Sequence, residues 1–339
     1  MRRRFTVLIA ASLLLLSAAA PTGAAARVEP PPPPVGTVRL MAVGDVMLGQ
    51  SIGRRIRNNG PLAPWTKVKS FFDQADLVVA NLECTISERG TPRPKTFNFR
   101  APIAAAHSLA LAGVDAVSNA NNHAIDFGRD AFGDTLSFLD AAGVGHFGGG
   151  ANLGVARAPL IIEKNGLRIA FLGYVLPLSG KPAFNTRQWA ATATTSGLAI
   201  GTPEIVAHDV ALAKQSTDVV VVMVHGGIEY SFRPNKAQKN FDRAALAAGA
   251  ALVIGAHQHV LQGYVLDNHA AIAYSTGDFV FDYFVGAPND TAILDVTLSA
   301  NGVESLNWIP IEIQNGFPRP AVGAEIARIQ SHLKQLPPP

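Results

Sequence analysis

Short apolar runs separated by Ala- and Leu-rich stretches of helical length constrain the fold more than any other feature of this sequence. The runs are typical of buried strands, and they are Val38–Val43, Leu77–Ala80, Ala116–Ser118, Arg168–Tyr174, Val219–Val224, Ala251–Ile254 and Ala271–Tyr274. Helices are predicted at Pro102–Ala112, Ala131–Ala142, Glu204–Lys214 and Asn235–Ala247. Strands that alternate with helices predict a mainly parallel sheet covered by helices.

Two Asn-Gly pairs interrupt this alternation. Asn165-Gly166 and Asn301-Gly302 each join two apolar segments of strand length. Asn-Gly supplies the two positive-φ residues of a type I′ turn, so both pairs predict antiparallel hairpins. A purely doubly wound sheet has no need of them. We therefore predict an α/β fold in which two mixed β-sheets pack face to face as a sandwich flanked by helices, in four αββα layers.

The first residues have the pattern of a secretory signal peptide. Arg2–Arg4 precede an apolar run from Phe5 to Ala20, and small residues continue to Ala26. The run is shorter than the roughly 20 apolar residues that span a bilayer, which favours cleavage over a retained anchor. We expect residues 1–26 to be a signal peptide. The protein is then exported, to the periplasm, the cell surface or the extracellular space.

The remaining chain divides into three predicted segments. Residues 27–36 contain five consecutive prolines and form a stiff linker. Residues 37–315 form one domain. Residues 316–339 form a tail, in which Ile326, Ile329 and Leu333 are spaced for a short amphipathic helix.

Charge and cysteine content exclude two classes of protein. The chain has 28 basic and 25 acidic residues, and three of the arginines belong to the signal peptide. The rest is therefore balanced and lacks the basic surface of a nucleic-acid-binding protein. Cys84 is the single cysteine, which excludes an intramolecular disulfide.

Side chains of the metal-ligand type follow five of the apolar runs, where each run ends. They are Asp45, Glu83, Asn122 with His123, His225, and His257 with His259. In open α/β sheets, ligands bind outside the carboxyl ends of the strands. Imidazole, carboxylate and amide oxygen together suit Zn, Mn or Fe. The sequence therefore predicts one or two divalent ions at this edge.

Each of these residues also has a simpler interpretation. Gly44-Asp45 is a common turn pair, and Asn121 to His123 could cap the next helix. His257-Gln258-His259 is hardest to dismiss, since residues two apart in an extended segment point to the same side. A serine hydrolase is the competing enzyme class, and its G-x-S-x-G pattern occurs once, at Gly49-Gln50-Ser51-Ile52-Gly53. Cys84 with a nearby histidine stays open, although a small buried hydrophobe is the commoner role.

The polar motifs resemble those of the CapA family of poly-gamma-glutamate capsule biosynthesis proteins, a branch of the calcineurin-like metallophosphoesterases. The matching segments extend from about Val38 to Asp282, and they are Gly44–Gly49, Asn81–Glu83, Phe99–Pro102, Asn121–Gly128, His225–Tyr230, Gly255–Val260 and Tyr274–Phe279. The resemblance implies a two-sheet sandwich with helices outside and a metal centre at the loop edge.

The resemblance also implies residue roles. Glu83 would bridge two metals, with Asp45 and His259 on one, and Asn122, His225 and His257 on the other. His123 would protonate the leaving group, for which a pKa in the neutral range is suitable, and Asp126 would orient it. Glu229 is expected as a substrate or supporting residue. The cations that follow Glu83 are expected either to hold an anionic chain or to form a solvated loop: Arg89, Arg93, Lys95 and Arg100.

One residue departs from the wider superfamily. Met47 occupies the position of a ligand histidine, so the first metal would have only three protein ligands. We expect a metal-dependent hydrolase-like protein of capsule or cell-surface polymer biosynthesis, acting on an anionic polymer or a phosphoester. The alternative is a non-catalytic polymer-binding or assembly subunit. Membrane capsule-synthesis proteins are expected partners, and nucleic acid is not.

Overall fold

Strands and helices alternate along the chain much as the sequence predicts. The computed structural model describes residues 36–181, 184–282 and 284–338. Its strands are β1 (Thr37–Val46), β2 (Leu77–Leu82), β3 (Thr85–Ile86), β4 (Arg100–Ala101), β5 (Ala116–Ser118), β6 (Gly145–Phe147), β7 (Gly149–Gly150), β8 (Leu160–Lys164), β9 (Leu167–Val175), β10 (Ser179–Lys181), β11 (Phe184–Asn185), β12 (Gly197–Leu198), β13 (Val219–His225), β14 (Leu252–Ala256), β15 (Tyr264–Asp267), β16 (Ala270–Ala273), β17 (Asp278–Val280), β18 (Asp290–Ser299), β19 (Gly302–Gln314) and β20 (Phe317–Pro320). Its helices are α1 (Gln50–Asn59), α2 (Lys69–Phe72), α3 (Ala104–Ala112), α4 (Arg129–Ala142), α5 (Leu153–Arg157), α6 (Pro203–Ala213), α7 (Lys236–Ala247) and α8 (Ala324–His332), with short 3₁₀ helices at Thr186–Trp189 and Ala287–Asn289.

The strands form two large mixed sheets. In the first sheet the order is β20-β19-β18-β1-β2-β5-β6, with β17 also paired to β1. Strands β1, β2, β5 and β6 are parallel, while β18, β19 and β20 are antiparallel. In the second sheet the order is β15-β16-β14-β13-β9-β8, parallel in its centre and antiparallel at both edges. The predicted mixture of parallel and antiparallel strands is confirmed.

Alternating side chains of the strands pack in different layers. Leu40 and Ala42 of β1 join a buried cluster with Phe171 of β9, so this cluster lies between the two sheets. Met41 of β1 points the other way, into a cluster that includes Trp65 and residues of α1 to α4. A third cluster joins β9, β13 and β14 to α6 and α7. The layers are helix, sheet, sheet and helix, which confirms the predicted sandwich.

Both predicted hairpins form, with different turns. Asn165 and Gly166 have φ of 51° and 85°, as a type I′ turn requires. In the second hairpin Ser299 pairs with Gly302, so the turn residues are Ala300 and Asn301, and neither has positive φ. The type I′ prediction was wrong there because a register shift after Thr297 moves the turn by one residue. A Cβ atom on Gly302 would lie 2.3 Å from the backbone oxygen of His269, which explains the glycine.

The tail helix packs on the first sheet. In α8, Ile329 is fully buried, and Arg328 binds the carboxylates of Asp290 and Glu312. The predicted amphipathic helix of the tail therefore forms, and its buried residue packs against the rest of the protein. Helix α1 was not predicted, because only two apolar side chains of its Arg-rich sequence, Ile52 and Ile56, are buried.

Residues 1–35, which include the predicted signal peptide and most of the linker, lie outside the described part of the chain. Among the described residues, none of the helices combines the length and the apolar character that a membrane crossing requires. The predicted segment boundaries stay predictions.

Candidate metal centre

The ends of strands from both sheets bring the predicted ligand residues together. In the first sheet, Asp45 lies near the end of β1 and Glu83 directly follows β2. In the second sheet, His225 ends β13 and His257 directly follows β14. Strand β17 begins at Asp278 and pairs in parallel with β1, which places Asp278 beside Asp45. This is the carboxyl edge at which open α/β sheets bind ligands.

Two clusters of potential ligand atoms share Glu83. The first contains Asp45, Glu83, His259 and Asp278, and the second contains Glu83, His225 and His257; within each cluster the ligand atoms lie within 4.8 Å of one another. All of these side chains are buried. Asn122 belongs with the second cluster, since its Oδ1 lies 2.6 Å from Nε2 of His225. The structure thus groups the six predicted ligand residues as the sequence analysis divided them, and their roles as ligands stay predictions.

The backbone after β14 departs from the extended conformation that we expected. His257 and His259 have φ of 106° and 57°, a region that costs about 1–3 kcal/mol for a non-glycine residue. The N–H of His257 donates to Oδ2 of Asp45 at 3.1 Å, which helps to hold this conformation. The two rings lie 6.2 Å apart, and the ring of His257 lies 4.8 Å from that of His225. The turn therefore directs both imidazoles to the centre.

The chemistry of these donors fits divalent cations. Both carboxylate oxygens of Glu83 and Oδ2 of Asp278 are buried without a hydrogen-bond partner among the described residues. Burial, with nearby Asp45 and Asp278, holds the pKa of Glu83 well above its usual value. Burial likewise raises the pKa of Asp45 to about 7 and lowers that of His257 to about 3. The neutral imidazole of His257 is the form that binds metal, and buried carboxylates need a counter-charge. Burial lowers the pKa of His259, but Asp278 and Asp45 outweigh it and raise that pKa to about 9, so a metal ion there would displace a proton.

Asp278 is the potential ligand that the sequence analysis missed. It lies in a segment quoted for its resemblance, Tyr274–Phe279, without a role of its own. A usable signal was present, because Gly277-Asp278 repeats the pair Gly44-Asp45. Asp278 gives the first cluster a fourth potential ligand beside Asp45, Glu83 and His259, and the number of ligands on the first metal stays a prediction. Met47 packs in the cluster beneath the helices.

His123 is held beside the clusters by a network of its own. Nδ1 lies 2.8 Å from Oδ2 of Asp126, and Nζ of Lys95 lies 2.5 Å from the other carboxylate oxygen. The ring stacks on Phe99 with centroids 4.1 Å apart, and Nε2 lies 3.9 Å from Oε1 of Glu83. Asp126 is therefore placed to orient His123, as predicted.

The expected neutral-range pKa of His123 is wrong for this structure. Burial lowers the pKa of His123 to about 4, and the nearby carboxylate of Asp126 offsets only part of this effect. Because a carboxylate accepts hydrogen bonds, the Nδ1 proton is donated to Asp126. At neutral pH the ring is thus neutral, with a lone pair on Nε2.

The remaining residues named by the sequence analysis differ in their burial and contacts. Arg100 lies 3.8 Å over the ring of Phe127 and donates to backbone carbonyls of its own loop. Glu229 is exposed, and it is near enough to His259 to help raise the pKa of that imidazole. Substrate contacts by Arg100 and Glu229 stay predictions. Cys84 is fully buried and its thiol pKa is raised to about 12 by burial, which argues against a nucleophile.

Two curated relatives match most of the chain. The PGA biosynthesis protein CapA of Bacillus subtilis (strain 168) is 31% identical over 281 residues, which cover 82% of this chain and 72% of that protein. The capsule biosynthesis protein CapA of Bacillus anthracis is 28% identical over 290 residues, covering 83% and 69%.

A solved structure has the same fold. It is a Staphylococcus aureus chain that bears the name 5′-nucleotidase, in complex with alpha-ketoglutarate, and it matches with a TM-score of 0.50 and 14% identity. The match covers 87% of this chain but only 57% of that one. At this identity the likeness shows a phosphoesterase-like fold and carries no activity or ligand with it.

The family described as Bacterial capsule synthesis protein PGA_cap matches residues 39–283, which include every predicted ligand residue. The chain therefore belongs to this family of capsule synthesis proteins, with a phosphoesterase-like fold.

Proposed function

We propose that this chain is an exported, metal-dependent hydrolase-like protein that acts in the biosynthesis of an anionic cell-surface polymer of the poly-gamma-glutamate type. The observation that carries the proposal is the position of Glu83. It is shared by two ligand clusters, and both of its carboxylate oxygens are buried without a hydrogen-bond partner among the described residues. If two divalent ions bind, Glu83 would be the residue that both sites share.

His123 supplies the proton chemistry of this proposal. When bound, divalent ions would polarise a phosphoryl or carbonyl oxygen and make a water more acidic. Nε2 of His123 is free of the proton that Nδ1 donates to Asp126, and it lies on the side of Glu83. It would accept a proton from the attacking water and then return it to the leaving oxygen. Asp126 stabilises the imidazolium formed between these two steps.

The test joins metal content to hydrolysis. Protein comprising residues 27–339 is stripped with a chelator, reloaded with Mn, Zn or Fe, and assayed on p-nitrophenyl phosphate mono- and diesters. Elemental mass spectrometry is expected to find up to two ions per chain. The double variant His257→Ala/His259→Ala should lose them. His107→Ala is the matched control, because His107 is an exposed histidine of α3.

His123→Ala separates catalysis from metal binding. We expect it to keep its metal while hydrolysis falls by about 10²–10⁴-fold, the usual contribution of a positioned acid or base. Unchanged hydrolysis in this variant would exclude the catalytic role of His123. The absence of bound ions after reloading would contradict the metal-dependent mechanism as a whole.

Met47 favours the alternative, a non-catalytic polymer-binding or assembly subunit. Its thioether accepts a hydrogen bond from the N–H of Gly49 at 3.1 Å, and its side chain is fully buried. The first cluster thus lacks one imidazole of the wider superfamily. A protein that retains metal and binds poly-gamma-glutamate, yet hydrolyses neither esters nor the polymer, would support this alternative.

Export has a separate test. The signal pattern of residues 1–26 supports it. When the full chain is expressed with a C-terminal tag in a bacterial host, we expect the tagged product outside the cytoplasmic membrane, with a mass lower by the leader peptide. Replacing Arg2–Arg4 with glutamates should retain the unprocessed chain inside. If the wild-type chain stays in the cytoplasm, whether or not its first residues are cleaved, export is excluded.

A further inference from the structure

A cavity adjoins the metal centre on the side of Lys95. Its volume is about 190 Å³, enough for roughly six water molecules. Its lining includes Arg93, Lys95, Arg129, Ile125 and Trp189. Lys95 joins the cavity to the centre, because its Nζ lies 3.2 Å from Nδ1 of His123. A ligand that extended from the centre past this lysine would enter the cavity.

The cavity has positive charge without matching negative charge. Three cations line it, and no carboxylate does so among the described residues. Lys95 is paired with Asp126, whereas neither Arg93 nor Arg129 forms an ion pair with a described carboxylate. The two guanidinium groups repel each other, and an anionic ligand between them would relieve this repulsion.

Arg129 is the more constrained of the two arginines. Its Nη2 donates to the backbone oxygen of Gln188 at 2.9 Å, but its Nη1 is buried without a hydrogen-bond partner among the described residues. Burial, and then repulsion from Arg93, lower the pKa of Arg129. The guanidinium of Arg93 lies near the start of α4, since a Cβ atom on Gly128 would be 3.7 Å from its Nη2.

The rest of the lining suggests what kind of group enters. A guanidinium presents a planar fork that fits a carboxylate or a phosphate with two hydrogen bonds. The indole of Trp189 forms another wall, with Nζ of Lys95 5.0 Å from its ring centroid. Ile125 adds an aliphatic surface. An oxyanion carried on a short aliphatic stem matches both the charged and the apolar surfaces.

Other cations of the same region are already engaged. Arg89 forms an ion pair with Asp134, and Arg100 donates to backbone carbonyls. Of the four cations predicted to contact an anionic chain, Arg93 and Lys95 line the cavity, and Arg129 joins them from α4. Arg89 and Arg100 therefore have structural contacts, whereas Arg93 and Lys95 face the cavity.

We propose that this cavity is an oxyanion subsite, in which Arg93 and Arg129 bind a carboxylate or phosphate group of a ligand whose reacting bond lies at the metal centre. The ligand is therefore polyanionic, with at least one charged group beside the one that reacts. The link to a reacting bond rests on the proposed function. Binding of the oxyanion by the two arginines does not depend on hydrolysis.

Calorimetric titration of the metal-loaded protein tests the subsite. The probes are glutarate, a γ-linked glutamate tetramer and inorganic phosphate. The variants are Arg93→Gln, Arg129→Gln and the double substitution. Arg89→Gln is the matched control, because it makes the same change of charge outside the cavity. Metal content and Tm are measured for each protein.

We expect each cavity variant to weaken binding of the favoured probe by about 10-fold, the effect of losing one charge-assisted hydrogen bond. The double variant should weaken it by about 100-fold, while Arg89→Gln and the metal content stay unchanged. Arginine-dependent binding of glutarate and the tetramer identifies a carboxylate ligand, and arginine-dependent binding of phosphate alone identifies a phosphoryl group.

Equal affinities in wild type, Arg93→Gln and Arg129→Gln would overturn the subsite. Arg129→Gln also removes a contact with the backbone of Gln188, so if it lowers the Tm, the exposed Arg93 decides the result. Arginine-dependent binding without any hydrolysis would leave the subsite standing and remove the proposed hydrolase. If Arg93→Gln and Arg129→Gln both hydrolyse the substrate with an unchanged KM, the proposed hydrolase stands and the subsite is excluded.

Discussion

Gly44 and Gly277 meet backbone to backbone at the metal centre: a Cβ atom on Gly44 would stand 1.9 Å from the carbonyl oxygen of Gly277. The N–H of Asp45 donates to that same oxygen at 3.0 Å. This contact brings the residues that follow the two glycines, Asp45 and Asp278, into register. Two carboxylates of the first cluster are thus positioned by a close approach that only glycine permits.

Gly44→Ala should therefore damage both stability and metal binding. The added methyl group has to displace backbone, so we expect a loss of about 3 kcal/mol, at the upper end of overpacking in a core. Metal content should fall as well, because Asp45 and Asp278 separate. Chemical denaturation and elemental analysis measure the two effects.

Gly133→Ala is the matched control for this substitution. Gly133 lies inside α4, and nothing lies within 4 Å of the position of its Cβ atom. Alanine there should stabilise the protein by about 0.5–1 kcal/mol, because glycine is the poorer helix former. A Gly44→Ala protein that is as stable as Gly133→Ala and binds as much metal would show that the contact is not required.

Glu83→Gln is expected to have opposite effects with and without metal. In the metal-free protein, burial and the charges of Asp45 and Asp278 raise the pKa of Glu83, so the wild type loses up to about 1.4 kcal/mol of stability for each pH unit between the unfolded and the folded pKa. Glutamine has no proton to bind, so unfolding of the metal-free variant should require more free energy at neutral pH. With free metal at 100 times Kd, the wild type should gain about 2.7 kcal/mol, while the variant gains little. Thermal unfolding with chelator and with metal measures both.

Glu88→Gln controls for the change of charge, since Glu88 is exposed in the loop that follows β3. Glu88→Gln should leave thermal unfolding unchanged both with chelator and with metal. If Glu83→Gln lowers the stability of the metal-free protein, the interpretation of Glu83 as a buried acid whose raised pKa destabilises that protein is wrong.

The sequence predicted most of the candidate site because strand ends are a local property. An apolar run marks where a buried strand ends, and Asp45, Glu83 and His225 lie at or next to such ends. Asp278 was missed because four residues, Tyr274–Gly277, separate it from β16, so it does not directly follow that strand. The repeated Gly-Asp pair was a weaker signal. The reason for the repeat is visible only in the structure, where Gly44 and Gly277 are in close contact.

Properties that depend on distant contacts were harder to predict. The pKa of His123 is low because of burial, and its ring is covered by Phe99, which follows β3 in a separate loop. Arg129 lies 46 positions beyond Glu83 and reaches the same region only because α4 begins there. Periodicity identifies such a helix but does not show what its first residue approaches.

Asp209→Asn should destabilise the protein most at neutral pH. Arg157 donates two hydrogen bonds to Asp209, and the hydroxyl of Tyr174 donates a third at 2.9 Å. Burial alone would raise the pKa of Asp209, but the hydrogen bonds, chiefly from Arg157, outweigh it and lower the pKa. A lowered pKa adds stability above the unfolded value of about 3.9 and loses it as the pH falls.

We expect Asp209→Asn to cost about 2–3 kcal/mol at pH 7, the range for hydrogen bonds to charged groups, and less as the pH falls below about 4 toward pH 2. Urea denaturation across this range measures the difference. Asp140→Asn is the control, because its side chain is 72% exposed. A difference that is constant from pH 2 to 7 would show that Asp209 owes no stability to its ionisation.

Asp242→Asn should have the opposite pH dependence. Asp242 of α7 is 2% exposed, and burial raises its pKa well above the usual value. A raised pKa adds stability below the unfolded value of about 3.9, and this contribution is lost as the pH rises toward the folded value. Over that window the wild type loses up to about 1.4 kcal/mol per pH unit through this group. The asparagine variant avoids this loss, since it has no proton to release.

The two proteins should therefore have similar stability near pH 4, and Asp242→Asn should become the more stable one as the pH rises to 8. Denaturation of both proteins in parallel removes the contribution of all other titrating groups from the difference. Asp267→Asn, at an exposed position at the end of β15, should track the wild type throughout. If Asp242→Asn is less stable at pH 8 than at pH 4 relative to wild type, the buried carboxylate is ionised and stabilising in the folded protein, which contradicts the effect of burial inferred here.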